Sequence, residues 1–351
     1  MKRIEIILFG LGCALLVILV WTVGPVELWR ELRALKWGLL AFFVAEGFAE
    51  AIHTLGWRRC LPKKLQSLPY FFLFRVRAVG YAINFLTPTA ALGGEITKIS
   101  LLASRCQTSE ATSGILIGKL CFALAHLLFV ALGAVFIVRS AHFSMLEWLP
   151  LLLGGVIVAS GILAFFLLQK HGKLGIVLRW LTAKNFGGAP LRKAASALSA
   201  VDEQLRAFYR DQRGDMYLAI GWHLIGYSVG IIPTWYFLER VHPPAAVWIA
   251  ASAWFLGMCF DLLTFAIPLN AGSLEGSRIL ALNVLGYAAP VGMAYGVALR
   301  AGQTLWAVAG LGLRATFGTL PKQLASQRTP VIPAAEKNMT TSMEENEQAT
   351  H

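Results

Sequence analysis

Six apolar stretches, at about 4–23, 38–56, 111–138, 149–168, 215–238 and 289–312, are each long enough to cross a ~30 Å hydrocarbon core as a helix. Inside lipid every backbone N–H and C=O must be paired within the chain, so continuous apolar runs of this length fold as helices. The hydrophobic share is 57% of 351 residues, above the roughly 45–50% of soluble domains. The expected fold class is all-α: a polytopic helical membrane protein with six full spans and two further broken, re-entrant hairpins, spread over residues 1–320.

The formal net charge of +12 could suggest nucleic acid, but the basic residues sit beside the spans and form no stripe with aromatic residues between them. Membrane topology accounts for them instead. Residues 57–64 and 170–213 hold the densest lysine and arginine, which marks both as cytoplasmic. Lys2 and Arg3, Arg314 and Lys322 then place both termini on the cytoplasmic side of a cytoplasmic (inner) membrane. Within 170–213, Leu191, Leu198, Val201, Leu205 and Phe208 form one face of an amphipathic helix expected to lie on the inner leaflet. The polar tail, 321–351, is expected to be disordered. Cys13, Cys60, Cys106, Cys121 and Cys259 show no metal-ligand spacing and read as small core residues. The apolar start lacks a small-residue cleavage site and reads as a retained first span.

Two hydrophobic segments are interrupted where proline and glycine stop helices: 68–103, broken between Pro88 and Gly94, and 245–285, broken between Pro268 and Gly272. The charge assignments put both ends of the first inside and both ends of the second outside, so each dips in and returns, from opposite faces. Pro88, Glu95 and Lys98 recur with identical spacing as Pro268, Glu275 and Arg278. Paired broken segments with opposite directions are the pattern of an inverted repeat, whose site lies near the midplane where unwound backbone lines a cavity.

Glu95 and Glu275 each begin a helical half-segment at a depth where a carboxylate costs about 2.5–3.5 kcal/mol on insertion scales. Each could cap its own helix, meeting the positive end of the dipole. Alternatively both face a polar cavity, where they bind a cationic headgroup or carry a proton, while half-helix N–H groups with Lys98 or Arg278 hold a phosphate. Asn84, Thr87, Thr89, Asn270, Ser273 and Ser277 add polar groups around the breaks, in roles that helix capping also explains. Asp261 lies in an apolar arm and should face protein or water, with Arg278 as a structural partner.

Glu46, Glu50 and His53 share one helical face of the 38–56 span, so that face must look inward. They read as a buried polar cluster or proton relay, or as an interfacial group near Arg58 and Arg59. Glu50 and His53 have the Glu-x-x-His spacing of carboxylate-bridged metal sites, but no second pair accompanies them, so no metal is expected. His126 and His223 stand alone in the sequence, and each reads as a satisfied polar residue between helices. Gly226 with Gly230 and Gly292 with Gly296 allow close helix approach, read first as contacts within the chain. No P-loop, nucleophile elbow or zinc-protease motif occurs; the chain is expected to use no cofactor and to be no enzyme.

Asn84, Pro88, Gly93, Gly94 and Glu95, and the second set Pro268, Gly272 and Glu275, resemble the two signatures of the flippase-like membrane family that also forms the transmembrane region of lysylphosphatidylglycerol synthases. The likeness runs from about residue 4 to 315. Leu269, Asn270 and Ala271 stand where that family commonly has Pro-Gly-Gly. Residues 51–59 resemble the branch associated with hopanoid synthesis. The resemblance implies translocation of lipids or lipid-linked groups across the cytoplasmic membrane, without the synthase's soluble transferase domain. The resemblance implies Asn84, Pro88, Gly93, Gly94, Glu95, Pro268, Gly272 and Glu275 as binding residues, and the residue pattern adds Lys98, Asp261 and Arg278. A rival reading is a non-transporting lipid-binding partner of a biosynthetic enzyme docked on the cytoplasmic 170–213 surface.

Overall fold

The computed structural model describes residues 17, 18, 20–22, 25–86, 93–103, 105–140, 156, 160, 161, 207, 208, 210–264, 272–315 and 317. These lie almost wholly in the unit Met1–Thr316; of the unit Phe317–His351 only Phe317 is described. Nearly all of the stretches expected at 4–23, 149–168 and 170–206, the tail at 321–351, and the break residues Thr87, Pro88, Thr89, Pro268 and Asn270 lie outside the described residues.

The described residues are predominantly helical, with no strand among them. In chain order the helices are α1 (Pro25–Leu35), α2 (Leu39–Cys60), the short α3 (Lys63–Gln66), α4 (Tyr70–Leu86), α5 (Gly93–Leu102), α6 (Thr108–Ser140), α7 (Arg213–Ser228), α8 (Ile231–Val241), α9 (Val247–Thr264), α10 (Ser273–Val284) and α11 (Ala289–Ala315). Three runs, Leu39–Cys60, Glu110–Ala134 and Arg213–Val241, are both long and apolar enough to cross a membrane. They coincide with the stretches expected at 38–56, 111–138 and 215–238. Helix α11 has the length, at 27 residues, but is not among the three; Arg300 and Gln303 interrupt its apolar run.

The faces of these helices are sorted for two environments. On α2, Leu40, Val44 and Phe48 recur every four residues and are more than half exposed, a surface that suits lipid and not water. Glu46, Glu50 and His53 occupy the opposite, inward face. Ile225, Ile232, Leu305 and Val308 are likewise apolar and exposed. The protein is therefore a membrane protein, and α2 turns its central polar side chains inward.

Two apolar cores brace the interior. One joins Phe42, Phe237, Leu282 and Tyr295, drawn from α2, α8, α10 and α11. The other joins Cys60, Cys121, Phe129, Tyr227 and Met258, from α2, α6, α7 and α9. Glycines set the closest approaches. A Cβ on Gly292 would lie 2.5 Å from the Cα of Ile279, and one on Gly296 2.8 Å from the Cα of Glu275, so α11 and α10 touch backbone to backbone. Gly226 makes room for the His53 ring and Gly230 for the Trp254 indole. Both glycine pairs thus serve contacts within the chain.

A basic corner closes the end of α2. Leu61 is extended at the C-cap, as expected before Pro62, and the Gln66 amide donates to the carbonyls of Leu61 (2.8 Å) and Arg59 (3.2 Å). Asp215, in the first turn of α7, pairs with Lys63 and, at 3.4 Å, with Arg59, placing a carboxylate at a helix N-terminus and tying it to the C-terminal end of α2.

Candidate functional site

The first broken hairpin is held by a contact that only glycine permits. Helices α4 and α5 run antiparallel, and Gly94 sits against the backbone of Gly80: a Cβ at 94 would lie 2.0 Å from the Gly80 carbonyl oxygen. Asn84 seals the start of α5, its Oδ1 accepting the Gly94 N–H at 2.7 Å. Capping is therefore done from across the hairpin by Asn84, which leaves the Glu95 carboxylate for other partners. Lys98 Nζ lies 2.5 Å from Glu95 Oε2, Lys119 Nζ 3.5 Å from Oε1, and Asn84 Nδ2 donates to Oε1 at 3.4 Å. The Lys98 stem runs over Gly80, and its ammonium lies 5.8 Å from the centre of the Trp57 ring.

The inward face of α2 meets the same place. Glu50, 6% exposed, receives a two-pronged contact from Arg77 of α4, Nε to Oε2 at 2.8 Å and Nη2 to Oε1 at 3.3 Å. The guanidinium also lies 5.5 Å from the centre of the Phe122 ring. Tyr81 stands beside Glu46. His53 Nδ1 is 3.0 Å from His223 Nδ1, a distance at which one nitrogen carries the shared proton and the other accepts it. Both rings pack on Phe122.

These groups line one cavity of about 500 Å³, walled by Glu46, Glu50, His53, Arg77, Tyr81, Asn84, Glu95, Lys98, Lys119 and Gln303, with Trp57, Phe122, Tyr227 and Trp254 as apolar panels. Phe42 and Leu299 join it to one core, Tyr227 and Met258 to the other. Three carboxyl and three basic side chains face a space whose walls are otherwise largely apolar. Such a cavity can hold a polar group carrying charge of both signs. No group of three or more His, Cys, Asp or Glu among the described residues is arranged to hold a metal.

The second hairpin is packed differently. Gly272 has φ of 69°, a left-handed turn that an L side chain rarely adopts, and α10 starts immediately after it. Glu275 is fully buried and bound by Arg300 of α11, Nε to Oε1 and Nη2 to Oε2, the latter at 2.9 Å. Arg278, 2% exposed, is paired with Asp261 at 2.7 Å, and Asp261 also accepts from Ser277 at 3.0 Å. Its guanidinium lies 5.6 Å from the centre of the Trp254 ring, the same indole that panels the cavity. Glu275, Arg278 and Asp261 do not line the cavity. The two carboxylates at matching positions are thus not brought together: Glu95 opens on the shared space, and Glu275 is locked in an ion pair.

The lysylphosphatidylglycerol synthase transmembrane region family matches residues 6–312. The chain belongs to that family. No curated protein and no solved structure matches it. Membership and the apolar helices together give this family member a membrane-bound, lipid-related function.

Against the sequence expectations, the structure gathers Asn84, Glu95, Lys98, Glu46, Glu50 and His53 at one cavity, with Gly94 at the hairpin contact beneath them and Gly93 at the start of α5. Asp261 is paired with Arg278, as its place in an apolar arm suggested. His223 is fully buried between helices, where its Nδ1 meets His53. His126 lies 3.2 Å from the Met258 carbonyl oxygen. Arg77, Lys119 and Arg300 were missed. A cation in the middle of an apolar helix is itself a signal, since lipid-facing charge is so costly, and Arg77 and Arg300 both carry it.

Proposed function

We propose that this chain binds the headgroup of a membrane lipid in the cavity and passes it between leaflets, the lipid tails staying in the bilayer. The observation that supports this is the cavity itself: it lies among apolar helices and holds Lys98, Lys119 and Arg77 for a phosphate alongside Glu46 and Glu95 for an amine. Lysine and arginine hydrogen-bond phosphate oxygens strongly because the bond is charge-assisted. The recurring Pro-Glu-basic spacing of the two hairpins favours an inverted repeat that rocks about this site. On this reading the chain is a carrier and not an enzyme, set in the cytoplasmic membrane with both termini on the cytoplasmic side. The likeness of residues 51–59 to hopanoid-associated members adds hopanoid lipids to the phospholipids that it should be offered.

Leaflet exchange of labelled lipids in proteoliposomes tests it. Wild type should move at least one lipid class, and Glu95→Gln should lower the rate about tenfold or more through the loss of one charge-assisted contact, with the unfolding midpoint close to wild type. Unchanged exchange by the variant would remove Glu95 from the site. If wild type moves no lipid across a broad panel, the chain is instead a lipid-holding partner for a biosynthetic enzyme.

A further inference from the structure

We infer that Arg77 is exchanged between Glu50 and the lipid phosphate, and that Glu50 takes up a proton when it loses Arg77, so that lipid binding is coupled to proton binding. This rests on the lipid reading above and adds an energy source to it.

The geometry is specific. Arg77 lines the cavity, yet its planar fork is engaged by Glu50. An arriving phosphate offers that fork a second bidentate partner. Arg77 is the cation that Glu50 holds in a hydrogen-bonded pair among the described residues. Around Glu50 stand Glu46 and His53 on its own helix; Arg77, Tyr70 and Tyr81 from α4; Glu95 and Lys98 from α5; Lys119 from α6; and Tyr227 from α7, with His223 and His126 behind His53. Lys98 and Lys119 are already turned to Glu95, and the Glu46 carboxyl lies one turn away on the same face. A nearly buried carboxylate stripped of its cation, with a second carboxylate beside it, neutralises rather than staying charged.

The step balances. The phosphate keeps its negative charge and pairs with the guanidinium, which stays protonated. One proton is taken from the buffered aqueous phase by Glu50, whose carboxyl then donates a hydrogen bond instead of accepting two. Release reverses it: the phosphate leaves, Glu50 gives up the proton, and Arg77 returns. A carrier built this way moves one proton with each phosphate-bearing headgroup, and a proton gradient can drive it. Sign follows directly. Because binding takes up a proton, affinity is greatest at low pH and falls by up to about tenfold per pH unit across the range in which unbound Glu50 is ionised and bound Glu50 is not.

Calorimetric titration of the full chain in an uncharged detergent, repeated in buffers of different ionisation enthalpy, counts the protons. The probes are dihexanoyl phosphatidylethanolamine, which carries both the phosphate and the amine, dihexanoyl phosphatidylglycerol, and inorganic phosphate. Wild type should bind the lipid with uptake of about one proton. Glu50→Gln, which keeps an acceptor oxygen for Arg77 but not its charge, should bind the lipid more tightly, with no proton taken up and no dependence on pH. Arg77→Gln should bind more weakly, also without uptake. Lipid binding by wild type with no proton uptake, or uptake that survives in Glu50→Gln, overturns the exchange and leaves the lipid reading standing. No lipid binding overturns the lipid reading and the exchange with it. Inorganic phosphate matching the lipid in affinity and uptake would make a free anion the ligand and overturn lipid coupling.

Discussion

Arg300→Ala is expected to cost about 3–5 kcal/mol of folded stability, the range found when one partner of a buried ion pair is removed. Glu275 has no exposure to share the loss, and its two oxygens are held by the Arg300 fork. Without that fork the carboxylate is left buried beside the backbone contact between α10 and α11 at Gly296. Glu275→Gln should cost less, because Arg300 is 23% exposed at its side chain and can turn to solvent. Replacing both residues with apolar side chains of similar size should recover much of the loss, since a buried pair and a packed apolar pair are often close in stability. Denaturant unfolding in detergent micelles, followed by tryptophan fluorescence, measures all three. An Arg300→Ala loss below about 1 kcal/mol, as at an exposed pair, would show that Glu275 is not isolated in this way.

The second large effect is at Gly94. Gly94→Ala places a methyl 2.0 Å from the Gly80 carbonyl oxygen and 2.5 Å from Asn84 Cγ, and neither a backbone carbonyl nor a capping side chain in use can move aside cheaply. The arms of the hairpin must separate, and the Asn84 cap on α5 goes with them. Overpacking and the lost cap together amount to about 2–4 kcal/mol, and Glu95 and Lys98 shift away from the cavity wall. Gly80→Ala is the informative comparison: its Cβ meets Lys98 Cγ at 2.7 Å, a flexible stem that can turn. The same unfolding measurement, paired with leaflet exchange, should find Gly94→Ala deficient in both and Gly80→Ala much milder. Equal behaviour of the two would mean that the arms are not packed through the Gly94 backbone.

Sequence spacing carries information along one helix and little between helices, and the site divides along that line. The inward face of Glu46, Glu50 and His53 follows from offsets of four and three, and the halves of each broken segment follow from proline and glycine. That Asn84 would reach across to cap α5 does not follow, nor that His223 would meet His53 from 170 positions away, because both depend on which helices become neighbours. The matching spacing of Glu95 and Glu275 suggested matching roles. Their surroundings differ because α11 brings Arg300 against one, while α6 brings the more exposed Lys119 against the other. Arg77 was legible in principle, as a cation within an apolar run, but its partner was fixed only by the packing of α4 on α2.

The pairing of Glu50 with Arg77 also bears on how the chain enters a membrane as it is made. Helix α2 carries two carboxylates and an imidazole through its centre, and α4 carries Arg75 and Arg77. At about 2.5–3.5 kcal/mol for each central charge, the polar face of α2 offsets part of what its apolar residues gain on transfer from the translocon into lipid. With Arg77 against Glu50 the two charges enter lipid as one neutral unit. Residues 39–60 should therefore integrate more completely when followed by 61–86 than when presented alone, as read by glycosylation tags on the loop that precedes them. The early helices of this chain would then wait at the translocon for one another, and the order of synthesis becomes part of how its interior charges are assembled.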